Sequence, residues 1–278
     1  MMCSASSGWQ NHLRYWCVDQ YAKTYGASGI YLDQVAAPEA KYCFDFYHNH
    51  EHHGAWGQGH TENLRRIVEA GRKVDPDFMM AIEGCGDAVG QYAHAHLISP
   101  ASAHGWFKEG WFPEMFHYTF PEYILFDGYA NGIFDGLTQD EVVSGAFVQG
   151  YRFDVRPGPF VQEAIALRKK IAAWVYWGRF MDDVGVEVSD DAVVAKLFVR
   201  DDETHRGGAL CFWNQGGKSG VKVKVDTAGF GPVKEGLQVV FGGDARPAAY
   251  EMQAGTVEME VPSAVLSSVL LINRVCVV

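Results

Sequence analysis

Two short apolar runs, Gly29-Ile30-Tyr31-Leu32 and Phe78-Met79-Met80-Ala81-Ile82, constrain the fold of this chain more than any other feature. Neither run alternates polar with apolar residues, so each reads as a strand covered on both faces. Amphipathic helical segments flank them. Trp9, Leu13, Trp16, Cys17 and Tyr21 recur at helical spacing before the first run, and Gly26 is a natural stop. Thr61 is expected to open a second helix, with Leu64, Ile67, Val68 and Gly71 on one face and Asp75-Pro76 ending it. Ala88, Val89, Tyr92, Ala93, His96 and Leu97 predict a third, broken by Ser99-Pro100. Strands alternating with helices indicate parallel β/α units. Both runs end on a carboxylate, Asp33 and Glu83, at the strand edge where barrels keep their chemistry.

Ser7-Gly8-Trp9-Gln10 and Thr138-Gln139-Asp140-Glu141 have the form of capping boxes. The second opens a helix through Val142, Val143, Ala146 and Phe147. Residues 106–134 hold eleven aromatics and read as irregular structure around one or two further strands. Tyr151-Arg152-Phe153-Asp154-Val155 reads as a last barrel strand, and Pro159 suits the first turn of a long final helix. Beyond about residue 185 the pattern changes to short strands separated by Gly, Asp and Pro turns. Val221-Lys222-Val223-Lys224-Val225 and Val257-Glu258-Met259-Glu260-Val261 alternate strictly, each burying one face. The expected architecture is therefore α/β: residues 1–184 form part of a (β/α)8-type TIM barrel, and 185–278 a small antiparallel β-sandwich. A complete barrel needs eight strands and typically ~250 residues. Only four or five barrel strands can be placed, so the barrel is expected to be N-terminally truncated.

Net charge is −11 with no run of Lys or Arg, which argues against nucleic acid as a partner. No stretch approaches the roughly 18 apolar residues of a membrane span. The first residues show no charged segment leading into an apolar run, so no signal peptide is read there. With the first strands expected to be absent, both cytoplasmic and secreted locations fit. The sequence specifies no oligomeric state. Its six cysteines are dispersed without a CxxC pair, so reduced thiols are expected rather than a zinc site or disulfide framework. Eight Trp, 13 Tyr and 17 Phe in an acidic chain suit a neutral polyhydroxylated ligand, because sugar C–H faces lie on aromatic rings.

Glycoside hydrolysis needs one carboxyl group to protonate the leaving oxygen and another at the anomeric carbon. Neighbouring parallel strands lie roughly 4.8 Å apart, so Asp33 and Glu83 can approach the ~5–5.5 Å spacing of retaining enzymes. The apolar residues before Glu83 favour its neutral form, which suits the acid and leaves Asp33 as nucleophile. For substrate contact the candidates are Asp45, His48, His50 and Trp56, with Trp106, Trp111, His117, Tyr118 and Asp154 further along. The histidines from His48 to His53 also suit metal, but their spacing matches no closed zinc motif. No metal and no cofactor is therefore expected. Two alternatives stand beside an oligosaccharide-cleaving retaining hydrolase. One is a non-catalytic or degenerate carbohydrate-binding barrel, and the other a metal-dependent hydrolase centred on His48, His50, His52 and His53.

Met2-Cys3, Gly8-Trp9-Gln10, Gly29-Ile30-Tyr31-Leu32-Asp33-Gln34, Tyr42-Cys43-Phe44-Asp45 and His48-Asn49-His50 form an ordered set. Ile82-Glu83-Gly84, Tyr118-Thr119-Phe120-Pro121-Glu122 and Arg152-Phe153-Asp154 continue it. With these motifs, residues 1–182 resemble a poorly characterised bacterial family of glycoside-hydrolase-like barrels. The β tail resembles the sandwich that often follows such barrels. More distantly, Asp on one strand and Glu on the next is similar to α-amylase-like and endo-α-N-acetylgalactosaminidase enzymes. That resemblance implies Asp33 as nucleophile, Glu83 as acid/base and a retaining mechanism.

Overall fold

The computed structural model describes residues 2–36, 40–98, 114–127 and 138–275. The chain divides into two compact units, residues 1–99 with 123–126 and residues 100–122 with 127–278.

The first unit is built on parallel strands paired in sequence order: β1 (Gly29–Leu32), β2 (Met79–Glu83), β3 (Ala95–Leu97) and β4 (Ile124–Asp127). Helix α1 (Ser7–Arg14) runs directly into a π-helical segment, Tyr15–Thr24, and α2 (Trp56–Gly71) follows β1. From α2, Leu64, Ile67 and Val68 pack with Cys17, Val18 and Ala22 of the π segment and with Met80 and Ile82 of β2. Burying such side chains stabilises the unit by roughly 1.5–3 kcal/mol each.

Three local expectations need correction. The first helix is capped by Ser6, whose hydroxyl accepts from the Trp9 N–H at 3.3 Å, one residue before the expected Ser7. Helix α2 starts at Trp56, five residues before Thr61, because Ser4 and Asn63 anchor its first turns to the N-terminal segment. The third helix reduces to one turn, α3 (Asp87–Gly90), and His96 and Leu97 belong to β3. Ladders to β2 and β4 hold that run extended, and three apolar residues are too few for periodicity to separate strand from helix.

The second unit contains helix α4 (Glu114–Thr119), α5 (Gln139–Val148), strand β5 (Arg152–Phe153) and α6 (Pro159–Val175). The Thr138–Glu141 capping box forms, and Pro159 sits in the first turn of α6. Ten strands make up its two antiparallel sheets, and two of them, not expected from the sequence, precede residue 193. β6 (Arg179–Asp182) pairs with β8 (Val193–Asp201), and β7 (Val186–Val188) with β10 (Lys222–Asp226). The six-stranded antiparallel sheet adds β9 (His205–Asn214), β11 (Glu235–Val240), β12 (Arg246–Pro247) and β15 (Leu266–Val275) to β6 and β8. The four-stranded sheet adds β13 (Glu251–Gln253) and β14 (Thr256–Glu260) to β7 and β10.

The six-stranded sheet is buried on both faces. Leu210 and Phe212 of β9 pack with Val223, Val225, Val257 and Met259 of the four-stranded sheet. Ala209, Cys211 and Trp213 of the same strand point instead to Val143, Phe147, Leu167 and Ile171 of α5 and α6. That double cover explains the unbroken apolar run of β9, whereas β10 and β14 alternate because one face stays wet. The fold is thus mixed α/β with one parallel and two antiparallel sheets, and the described residues form no closed barrel.

Candidate active site

In the register of β1 and β2, Leu32 lies opposite Ile82, which puts Asp33 and Glu83 side by side just past that pairing. The local backbone sharpens the placement. Gln34 adopts a left-handed φ of 56°, and its N–H donates to Glu83 Oε2 at 3.0 Å. The Ala36 N–H donates to the Glu83 carbonyl at 2.9 Å, so the turn after β1 folds onto the end of β2. Gly84, with φ of 84°, turns the chain away and donates to the Leu97 carbonyl at 2.7 Å.

The two carboxyls have unlike surroundings. Glu83 is 7% exposed, whereas Asp33 is exposed and accepts from the Tyr31 hydroxyl at 3.3 Å. Burial pushes the Glu83 pKa up, and a hydrogen bond with Asp33 and that group's charge act in the same direction, against the Gln34 N–H. This arrangement gives a buried carboxyl beside an exposed one.

A raised pKa in the folded chain has a sign that can be tested. Above the ordinary carboxylate range the unfolded chain ionises Glu83 freely while the fold resists, so stability falls as pH rises towards the folded value. Below that range both states carry the proton. Glu83→Gln keeps an acceptor for Gln34 and removes the ionisable group. It is expected to stabilise the protein by about 0.5–2 kcal/mol at pH 7, with the gain vanishing near about pH 4. Thermal melts of both proteins at the two pH values check this, and an equal difference at both would contradict it.

Against known proteins, residues 1–131 match the family model of a domain of unknown function (DUF6259). No curated protein matches the chain. Solved structures do. Amy13B of Eubacterium rectale aligns with 98% of this chain and 64% of its own at 14% identity and TM-score 0.53. An α-amylase from H.orenii aligns over 95% and 63% at 11% identity and TM-score 0.54. A GH27 β-L-arabinopyranosidase from Geobacillus stearothermophilus aligns over 98% and 63% at 10% identity and TM-score 0.52. The chain spans just under two thirds of these structures' length. At such identity the likeness shows the fold alone, one shared with these amylase and arabinopyranosidase structures.

The other expected site residues scatter. His48, Asp45 and Trp56 line a cavity of about 340 Å³ together with Cys3 and Cys43, and His50 joins the same cluster from one side. His117 does not face a ligand. It is 7% exposed, its ring stacked on Phe180 at 4.2 Å, and burial lowers its pKa to about 4. Its place in a helical turn of aromatic residues disguised a core histidine. Tyr118, beside it on α4, is exposed, as is Asp154. Arg152 lies over the Tyr176 ring at 4.2 Å. Trp106 and Trp111 lie outside the described residues. Two groups escaped sequence reasoning altogether, the Tyr31 hydroxyl on Asp33 and the buried Lys196 between Glu114 and Asp182.

Proposed function

We propose that the chain carries the reacting carboxylates of a retaining glycoside hydrolase, with Glu83 as acid/base and Asp33 as nucleophile. The observation that supports this most is the unlike pair at neighbouring strand ends, a buried carboxyl whose pKa is raised beside an exposed one. Glu83 donates its proton to the glycosidic oxygen while Asp33 attacks the anomeric carbon. The first step releases the aglycone and leaves a glycosyl ester on Asp33. Glu83, now ionised, takes a proton from water as that water displaces Asp33, returning both groups to their starting state. Tyr31 orients Asp33 through its hydroxyl, and the Gln34 N–H holds Glu83. In this reading the parallel sheet is the barrel portion, and the antiparallel sheets sharing one core are the accompanying sandwich.

The test is hydrolysis of a panel of 4-nitrophenyl α- and β-glycosides and of oligosaccharides by the full chain, with product anomers read by NMR at early time. Release with retained configuration is expected. Inverted product would overturn the mechanism. Oligosaccharide binding by calorimetry without any product would overturn catalysis in favour of a carbohydrate-binding role.

A further inference from the structure

Four side chains from two separated stretches of sequence converge. One donor atom each from Cys3, Cys43, His48 and His50 lies within 4.8 Å of every other. The Cys43 sulfur is 3.2 Å from His48 Nδ1. Both ring nitrogens of His50 are buried and have no hydrogen-bond partner among the described residues. Such orphaned nitrogens are costly unless something satisfies them.

From this convergence we propose that Cys3, Cys43, His48 and His50 form a closed, structural zinc site. Bond lengths of about 2.3 Å to sulfur and 2.0–2.1 Å to nitrogen put donor atoms of a tetrahedral zinc site roughly 3.3–3.8 Å apart. The side chains therefore need to draw in by at most about 1.5 Å. Two thiolates and two imidazoles are a donor set that selects zinc over magnesium or calcium. On binding, each thiol gives its proton to solvent, the imidazoles bind neutral, and the two thiolates balance the dication. The far side of the His48 ring completes the pattern. Its Nε2 is 3.5 Å from Asp45 Oδ2, so a carboxylate orients the ring whose Nδ1 meets the metal.

The surrounding hydrogen bonds bring the ligands to one place. Ser4 Oγ donates to the Trp56 carbonyl at 2.8 Å, and Asn63 Nδ2 donates to the Ser4 carbonyl at 3.0 Å, tying the Cys3 segment to α2. The segment passes over α2 at Gly59, where a Cβ would sit 2.4 Å from the Ala5 nitrogen. On the other side the Cys43 N–H donates to the His53 carbonyl at 2.9 Å, which closes the loop carrying Cys43, His48 and His50. The Ser7 N–H donates to Asn49 Oδ1 at 3.2 Å, linking α1 to the residue between the two histidines. A Cys3–Cys43 disulfide would use both sulfurs but leave His50 unsatisfied, which is why the metal is favoured. With four protein donors the site has no open position, so its role is to staple the N-terminal segment to the loop.

Metal content of the full chain, with any affinity tag removed, tests this. Purified under reductant and supplied with zinc, it is expected to retain one ion by elemental analysis. Cobalt titration should give the visible bands of a tetrahedral thiolate complex. Cys43→Ser and His50→Gln should abolish both signals, while His52→Gln, on an exposed neighbour, should leave them intact. Asp45→Asn should retain the spectrum and weaken affinity by about 10–100-fold. Because Asp45→Asn and His52→Gln leave all four ligands in place, a folding failure of the ligand variants does not decide the outcome. Absence of cobalt bands in the wild type would overturn the site, as would bands unchanged by Cys43→Ser and His50→Gln or a Cys3–Cys43 disulfide under reductant.

Discussion

Asp33→Asn is expected to lower hydrolysis of every aryl glycoside by at least about 10⁴-fold, whatever the leaving group, because it removes the group proposed to form the glycosyl ester. Glu83→Gln should behave differently. An alkyl or sugar leaving group needs a proton from Glu83, and its loss there should reach a similar size. A dinitrophenolate leaves without protonation, so formation of the ester should survive and deglycosylation become limiting. The contrast separates a catalytic pair from two structural acids, which would lose activity in parallel with stability. Both substitutions preserve the local frame, since Gln at 83 still accepts from the Gln34 N–H and Asn at 33 still accepts from Tyr31. Steady-state rates on paired nitrophenyl and dinitrophenyl glycosides, with circular dichroism as a check on folding, read the result.

The largest effect on stability is expected at Lys196. Its ammonium group is buried between Glu114, at 3.1 Å, and Asp182, and Glu114 also accepts from Gln149 Nε2 at 2.7 Å. Burial works against the lysine's charge, yet the two carboxylates more than offset it and hold its pKa above the ordinary value. The Asp182 pKa is raised by burial in spite of Lys196. Lys196→Met therefore leaves two buried acids without a cation, and breaking such a pair costs about 3–5 kcal/mol. The loss should shrink at low pH, where the acids become neutral. Replacing all three charges together by apolar residues of similar volume should recover most of it. Urea unfolding followed by tryptophan fluorescence gives both quantities, and a single substitution within 1 kcal/mol of wild type would contradict the network's role.

Legibility followed the range of the interactions. Periodicity marked β1 and β2 because both are short, apolar and bounded by breakers, and it marked the second antiparallel sheet because β10 and β14 wet one face. It failed at 95–97, where three residues became a strand only through ladders on both sides. Asp33 and Glu83 were visible as strand-terminal acids, yet their unlike burial depends on the turn at Gln34. The cysteines illustrate the opposite case. Cys3 and Cys43 both stood in conspicuous motifs, but a search for close Cys spacing cannot see a site whose ligands come from segments 40 residues apart. Lys196, Glu114 and Asp182 likewise lie on three elements, and nothing local marks them as partners. His117 misled because an aromatic-rich stretch looks the same whether its rings face a ligand or, like Phe180 against this imidazole, the core.

Azide rescue tests the roles of Asp33 and Glu83 most directly. On an aryl glycoside hydrolysed by the wild type, Glu83→Ala with azide should give a glycosyl azide of the substrate's own configuration, because azide displaces Asp33 from the ester. Asp33→Ala with azide should give the opposite anomer, because azide then attacks in place of the nucleophile. Exchange of these two outcomes would reverse the assigned roles, and wild-type turnover in either variant without azide would contradict the catalytic pair itself.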